Sequence, residues 1–241
     1  MRFSTLIKHP ADWMTGGAGD HCAVLTSRIR LARNLRNHPF PGWAKREQRA
    51  AALDLMRPAV ESLPAMKDAF SHELGDLTSV QKQVLVERHL ISREHAARGD
   101  GSGAIIERRQ TFSLMLNEED HLRMQAIRPG LQLSAAFEAL SALDSELEEA
   151  LEYAFDPTLG YLTTCPTNLG TGLRASAMLH LPGLVLSDQN LLDHPCNGGR
   201  DLCVYLVGRY LEQRLVNFNA VADLLEPTGD GTLSNALAQG R

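Results

Sequence analysis

The 241-residue sequence predicts an α+β domain in which helices flank an antiparallel sheet, and three patterns predict it. Residues 22–35, CAVLTSRIRLARNL, alternate with the period of a strand: Val24, Thr26, Arg28 and Arg30 fall on one side, Leu25, Ser27, Ile29 and Leu31 on the other. From Ser134 to Ala154 the apolar residues Phe137, Leu140, Leu143, Leu147 and Leu151 recur every three or four positions, the spacing of an amphipathic helix. Elsewhere, short apolar runs are separated by glycine-bearing loops, for which antiparallel pairing is the economical arrangement.

Residues 1–22 are punctuated by Gly16, Gly17 and Gly19, which predicts a lead-in with little regular structure before the first strand. Residues 44–69 are rich in Ala, Leu, Met, Glu and Lys and predict a helix, broken at Pro58 and Pro64. QKQVLVERHLIS (81–92) and GAIIERRQTFSLMLNEEDH (103–121) read as two strands joined by the loop REHAARGDGSG. In the long helix that follows, Ser134 is placed to cap the start, and Asp156, Pro157 and Gly160 to stop the helix. YLTTC (161–165) and LRASAMLHL (173–181) read as strands around the loop PTNLGTG. Residues 187–241 differ in character, with one amphipathic helix expected between Leu202 and Leu225 and a Gly-, Thr- and Asn-rich end.

Composition narrows the function. Hydrophobic residues at 44% and charged residues at 22% are those of a chain that folds rather than of a disordered one. A net charge of −5 argues against nucleic acid as partner, so an anionic ligand would have to meet a local basic site. Cys22, Cys165, Cys196 and Cys203 form no CxxC pair, so neither a disulfide framework nor a structural metal is expected, and a reducing cytoplasm fits best. HPCNGGRDLC, with His194, Cys196 and Cys203, matches no standard metal spacing. The segment MRFSTLIKHP lacks the apolar stretch of a signal peptide, and no run approaches the roughly 20 apolar residues of a membrane helix, so no membrane association is expected.

Three groups of residues could carry chemistry. Arg28 and Arg30 share a strand face, and Arg123 and Arg174 follow an acidic cluster and a glycine loop. A guanidinium offers a planar fork that matches phosphate oxygens two at a time, although strand-edge arginines are as readily solvated or paired with carboxylates. NEEDH, Asn117 to His121, follows an apolar run; Glu118 and Glu119 could hold a cation or a magnesium ion or act as a base, or simply form a solvated turn. In CPTNLGTGLR, Gly170 and Gly172 would let backbone amides approach an anion beside Cys165, or form a plain turn.

Together, TSRIRLARNL, LNEEDHLRMQAIRPGLQL and YLTTCPTNLGTGLRASAMLHLPGL resemble, in order and spacing, the signatures of the ATP:guanidino phosphotransferase family, and within it the bacterial protein-arginine kinases. The resemblance covers about Ala23 to Leu186, which implies a lead-in at 1–22, a partial catalytic domain at 23–186 and a tail of unassigned role at 187–241. It implies transfer of the γ-phosphoryl group of ATP, with Mg2+, to a guanidino nitrogen, and arginine-containing proteins as substrates, since only about twenty residues precede the first motif where small-molecule kinases carry a helical domain. By motif position, Arg28, Arg30, Arg123 and Arg174 would clamp the phosphates, Glu119 would orient the guanidinium and accept its proton with Glu118 beside it, Cys165 would lie near the acceptor, and His95 would contact the base. An RGxxGE-type segment, which the resemblance leads one to expect further on with another arginine and a second carboxylate, is not found in residues 187–241. A shifted reading frame or a catalytically impaired relative that only binds nucleotide or a partner would each account for that. The oligomeric state has no signature in the sequence.

Overall fold

A computed structural model of the chain describes residues 1–15 and 24–179. Helix α1 (Phe3–Lys8) and a 3-10 turn (Asp12–Thr15) precede strand β1 (Val24–Arg33) and helix α2 (Arg46–Glu61). Strand β2 (Phe70–Glu73), helices α3 (Ser79–Glu87) and α4 (Arg93–Ala96), and strands β3 (Gly103–Ile106), β4 (Phe112–Leu116) and β5 (Leu122–Pro129) follow. Helix α5 (Leu133–Ala150), the short strands β6 (Phe155–Asp156) and β7 (Gly160–Tyr161), and β8 (Leu173–Leu179) complete the described chain. Six strands form one antiparallel sheet in the order β2-β3-β4-β5-β1-β8, and β6 pairs with β7 separately. The expected α+β class, an antiparallel sheet with helices, is the one the chain adopts.

Residues directly opposite in an antiparallel pair share a face, so the register decides what each face carries. Ile29 lies opposite Ala126 and Ala175, and Leu31 opposite Met124 and Leu173. With Ile105, Leu114 and Leu116 these side chains meet Leu53, Met56 and Val60 of α2 and Leu140, Leu143 and Leu147 of α5, forming the larger core. The other face divides in two. Over β2, β3 and β4, Phe70, Ala104, Ile106 and Met115 pack under Leu6, Leu74, Leu85, Leu90 and Ile91 in a second core. Over β5, β1 and β8 the same face carries arginines instead: Met115 is opposite Arg123, Arg123 opposite Ala32, and Arg30 opposite Arg174.

Several local expectations are corrected. The expected strand at 81–92 is helix α3, because Thr78 and Gln81 form a reciprocal capping box at its start and Leu85 then points into the second core. The loop after it contains the one-turn helix α4, whose start is capped by Ser92. The single strand expected at 103–121 is a hairpin: Gln110 turns the chain at φ 63°, and the Glu107 carboxylate accepts from the backbone N–H groups of Arg109 and Thr111. Pro58 does not break α2 but lies inside its last turn, and Pro64 opens a 3-10 turn after it. Helix α5 begins at Leu133 behind Gln132, with no side-chain cap, so Ser134 is inside it, and the helix ends at Ala150. Of the expected 161–165 strand only Tyr161 lies in one, β7, and Pro166–Asn168 form a 3-10 turn. The lead-in holds α1, whose Leu6 is buried. The helix expected at 202–225 and the His194, Cys196 and Cys203 group lie outside the described residues.

Candidate active site

A cavity of about 870 Å³ opens on the arginine-bearing half of the sheet. Arg28, Arg30, Arg123 and Arg174 all line it, brought together by the alternation of three neighbouring strands. Arg28 Nε donates to Ser176 Oγ at 3.3 Å across the β1–β8 pair. Burial pushes the Arg30 guanidinium well below its usual value, and Arg28, Arg123 and Arg174 push it further, against a smaller opposing pull from Glu118. An arginine does not give up its proton in a protein. The crowding is instead a local demand for anionic charge, which the triphosphate of a nucleotide would meet.

The acidic loop between β4 and β5 is held residue by residue. Asn117, at φ 55°, donates its amide to the carbonyls of Arg49 and Gly101, tying the loop to α2 and to the turn before β3. Glu118 is 2% exposed, accepts from Ser92 Oγ and pairs with Arg123 at 2.6 Å. Burial pushes its carboxyl up, but the Arg123 charge and hydrogen bond, with that of Ser92, outweigh burial and hold it below the usual range. Arg98 also donates to the Glu118 carbonyl, at 3.1 Å. Asp120 accepts from Asn34 Nδ2 at 2.6 Å and from the Thr164 backbone at 2.7 Å. His121, buried, accepts from the Leu35 N–H through Nδ1 at 3.2 Å, and burial and the neighbouring His38 bring it down to about 4. It is therefore neutral at pH 7.

With its neighbours so engaged, Glu119 is the exposed member of the loop, and it lines the cavity. Partial burial and then Asp120 push its carboxyl above the usual value, with Arg123 opposing. A carboxylate of raised basicity at the edge of an arginine-lined cavity is suited to bind a cationic donor and take its proton. Thr164 Oγ1 donates to the Glu119 carbonyl at 3.0 Å, which ties the segment carrying Cys165 to this loop. Cys165 is a free thiol on the same cavity wall, its Sγ 3.0 Å from Thr167 Oγ1.

Of the residues singled out in the sequence, Arg28, Arg30, Arg123, Arg174, Glu118, Glu119 and Cys165 meet at this cavity. His95 is not among the residues that line it: the side chain is fully buried, and its Nε2 donates to the Gly103 carbonyl at 2.9 Å. His89 lines the cavity instead, with φ 58° and its ring 5.5 Å from that of Trp13. Its backbone carbonyl accepts from Gln125 Nε2 at 2.7 Å, and burial, then Arg28, lower its ring below 6.5. The two rings, tilted 55° to each other, stand together near the arginines. Their pairing joins positions far apart in the chain, so no local sequence signal marks it; Ser92 and Arg98, which hold Glu118, were missed for the same reason.

Residues 52–199 match the family model described as ATP:guanido phosphotransferase, C-terminal catalytic domain. The chain is 45% identical over 181 residues to the protein-arginine kinase of Halothermothrix orenii, covering 75% of this chain and 52% of that protein. It is 42% identical over 186 residues to the protein-arginine kinase of Moorella thermoacetica, covering 76% and 53%. Among solved structures, the substrate-free duplicated taurocyamine kinase from Schistosoma mansoni superimposes with a TM-score of 0.62 at 28% identity, over 76% of this chain and 27% of that one. A lombricine kinase does so with a TM-score of 0.60 at 28% identity, over 75% and 52%. The chain thus spans about half the length of the curated relatives it matches.

Proposed function

We propose, for a chain that belongs to the ATP:guanido phosphotransferase family, that it transfers the γ-phosphoryl group of ATP to the guanidino group of arginine residues in proteins. One observation carries the reading: four guanidiniums of one sheet face line a single cavity, and the exposed carboxylate Glu119 borders the same cavity. The protein acceptor is supported by the names of the relatives, which are protein-arginine kinases.

In this reading Arg28, Arg30, Arg123 and Arg174 hold the phosphate oxygens of ATP, taken as its magnesium complex, in which the ion is bound largely by substrate phosphates. Trp13 and His89 offer their rings to the base. Glu119 orients the acceptor guanidinium. As its nitrogen attacks the γ-phosphorus, the bond from phosphorus to the oxygen bridging to ADP breaks, and the carboxylate takes the nitrogen's proton. The arginines are already in place when charge shifts onto the leaving ADP, so little reorganisation is needed in the transition state. Glu118 acts on this arrangement through Arg123, which it keeps from turning away. The need for ATP and the unpaired thiol of Cys165 suit a cytoplasmic setting. Among the described residues, no helix is long and apolar enough to cross a membrane.

The test is incubation with γ-labelled ATP, magnesium and an arginine-rich unfolded protein such as casein. Acid-labile label on casein supports the reading. ATP binding without transfer would favour a nucleotide-binding module, and label on free arginine in preference to casein would move the acceptor to a small molecule.

A further inference from the structure

On the core face of the sheet, beneath the cavity and not lining it, lies a second charged group that the reaction itself does not use. Arg33, at the end of β1, is 3% exposed. Its Nη2 meets Asp144 of α5 at 2.6 Å, and its Nη1 donates to the carbonyls of Ala32 at 2.8 Å and Thr171 at 2.9 Å. The guanidinium lies over the Tyr161 ring, 3.7 Å from its centroid. Tyr161 in turn donates its hydroxyl to Glu148, one turn of α5 beyond Asp144, while its backbone pairs with Gly170.

We propose that Arg33 is a positioning residue: with Tyr161, Asp144 and Glu148 it clamps the Gly170–Gly172 turn and so fixes where Arg174 and the Cys165 segment stand in the cavity. The fit is too close for slack on either side of the turn. A Cβ on Gly172, at φ +64°, would stand 2.5 Å from both the Ala32 carbonyl and Arg33 Nη1, and one on Gly160 would stand 2.6 Å from the Gly170 carbonyl. Stability alone is a poor reason to keep such a pair buried, since an apolar pair of similar volume commonly serves as well or better. Arg33 Nε has no hydrogen-bond partner among the described residues, so the pair is not even fully satisfied. What the guanidinium supplies and an apolar residue cannot is a fork that holds a helix carboxylate and a turn carbonyl at once.

The inference rests on the kinase reading for its consequence, and its test separates the two. Arg33→Lys and the apolar pair Arg33→Met with Asp144→Leu are compared with the native chain by hydrogen exchange resolved to peptides and by ATP affinity. The expected result is exchange at least about tenfold faster in residues 169–174, with β1 and α5 still protected. ATP affinity should fall in the native background, while in an Arg174→Ala background the same changes add less than about twofold, because Arg33 acts through Arg174. Unchanged exchange in 169–174, a uniform rise across the whole fold, or losses that add to those of Arg174→Ala would each overturn the proposal. Failure of the native chain to bind ATP would sink the kinase reading instead, and the exchange data would still decide whether Arg33 holds the turn.

Discussion

Acidification should destabilise this fold well before its carboxylates titrate, through two histidines that flank the acidic loop. His121 accepts a backbone N–H, and His95 is fully buried against the Gly103 carbonyl; both are kept neutral, each brought from 6.5 down to about 4, chiefly by burial. A group whose folded value is depressed in this way takes up its proton first in the unfolded chain. Stability is therefore full above 6.5 and is lost as pH falls from there towards 4, where the effect levels off. At roughly 1.4 kcal/mol per pH unit, each histidine costs about 2 kcal/mol by pH 5, and the two together about 4 kcal/mol. That is a large part of the roughly 5–15 kcal/mol that holds a typical domain. Glu118, held below the usual carboxylate range, should add to the loss at still lower pH. The assay is urea unfolding followed by tryptophan fluorescence between pH 7.5 and pH 5. His121→Asn retains an oxygen able to accept the Leu35 N–H, and should be less stable at neutral pH yet show about half the pH slope. A native chain equally stable at both ends of that range, or a variant with an undiminished slope, would refute the assignment of the slope to these rings.

Four further outcomes are expected. Glu119→Gln should cut phosphoryl transfer by about 10²- to 10³-fold while leaving ATP affinity unchanged, and the native rate should fall on acidification with a midpoint above 4.5, both read by single-turnover kinetics. Replacing Trp13 and His89 together by Ala should weaken ATP binding by about ten- to a hundredfold, the worth of one stacked base, without changing affinity for inorganic triphosphate, as calorimetry would show. Gly172→Ala, forced against the Ala32 carbonyl at a positive φ, should destabilise by more than about 1 kcal/mol and lower ATP affinity at the same time. Leu140→Ala, which empties a fully buried position between α5 and the sheet, should cost about 2–5 kcal/mol in urea unfolding with the relative affinities for ATP and triphosphate preserved.

What the sequence determined by itself is what depends on periodicity. The two-residue alternation of β1 puts Arg28 and Arg30 on one face and Ile29 and Leu31 on the other, because successive side chains on a strand point to opposite sides. The repeat of three and four in α5 fixed its buried stripe, although not its ends, since no capping side chain marks Leu133. Short apolar runs misled: Val84, Leu85 and Val86 fit a strand or a helix equally, and the Thr78–Gln81 capping box settled the matter. Only the tertiary structure decided that, among the described residues, the second core ends at β4 and the arginine half of that face lines a cavity, because this depends on where α1, α3 and α4 pack. It likewise decided that His89 rather than His95 reaches the cavity, since the hydrogen bond to Gly103 turns His95 inward. The Arg33 clamp was equally hidden: its partners come from α5, from the segment around Tyr161 and from the turn at Thr171, and a contact joining such distant positions leaves no local trace in the chain.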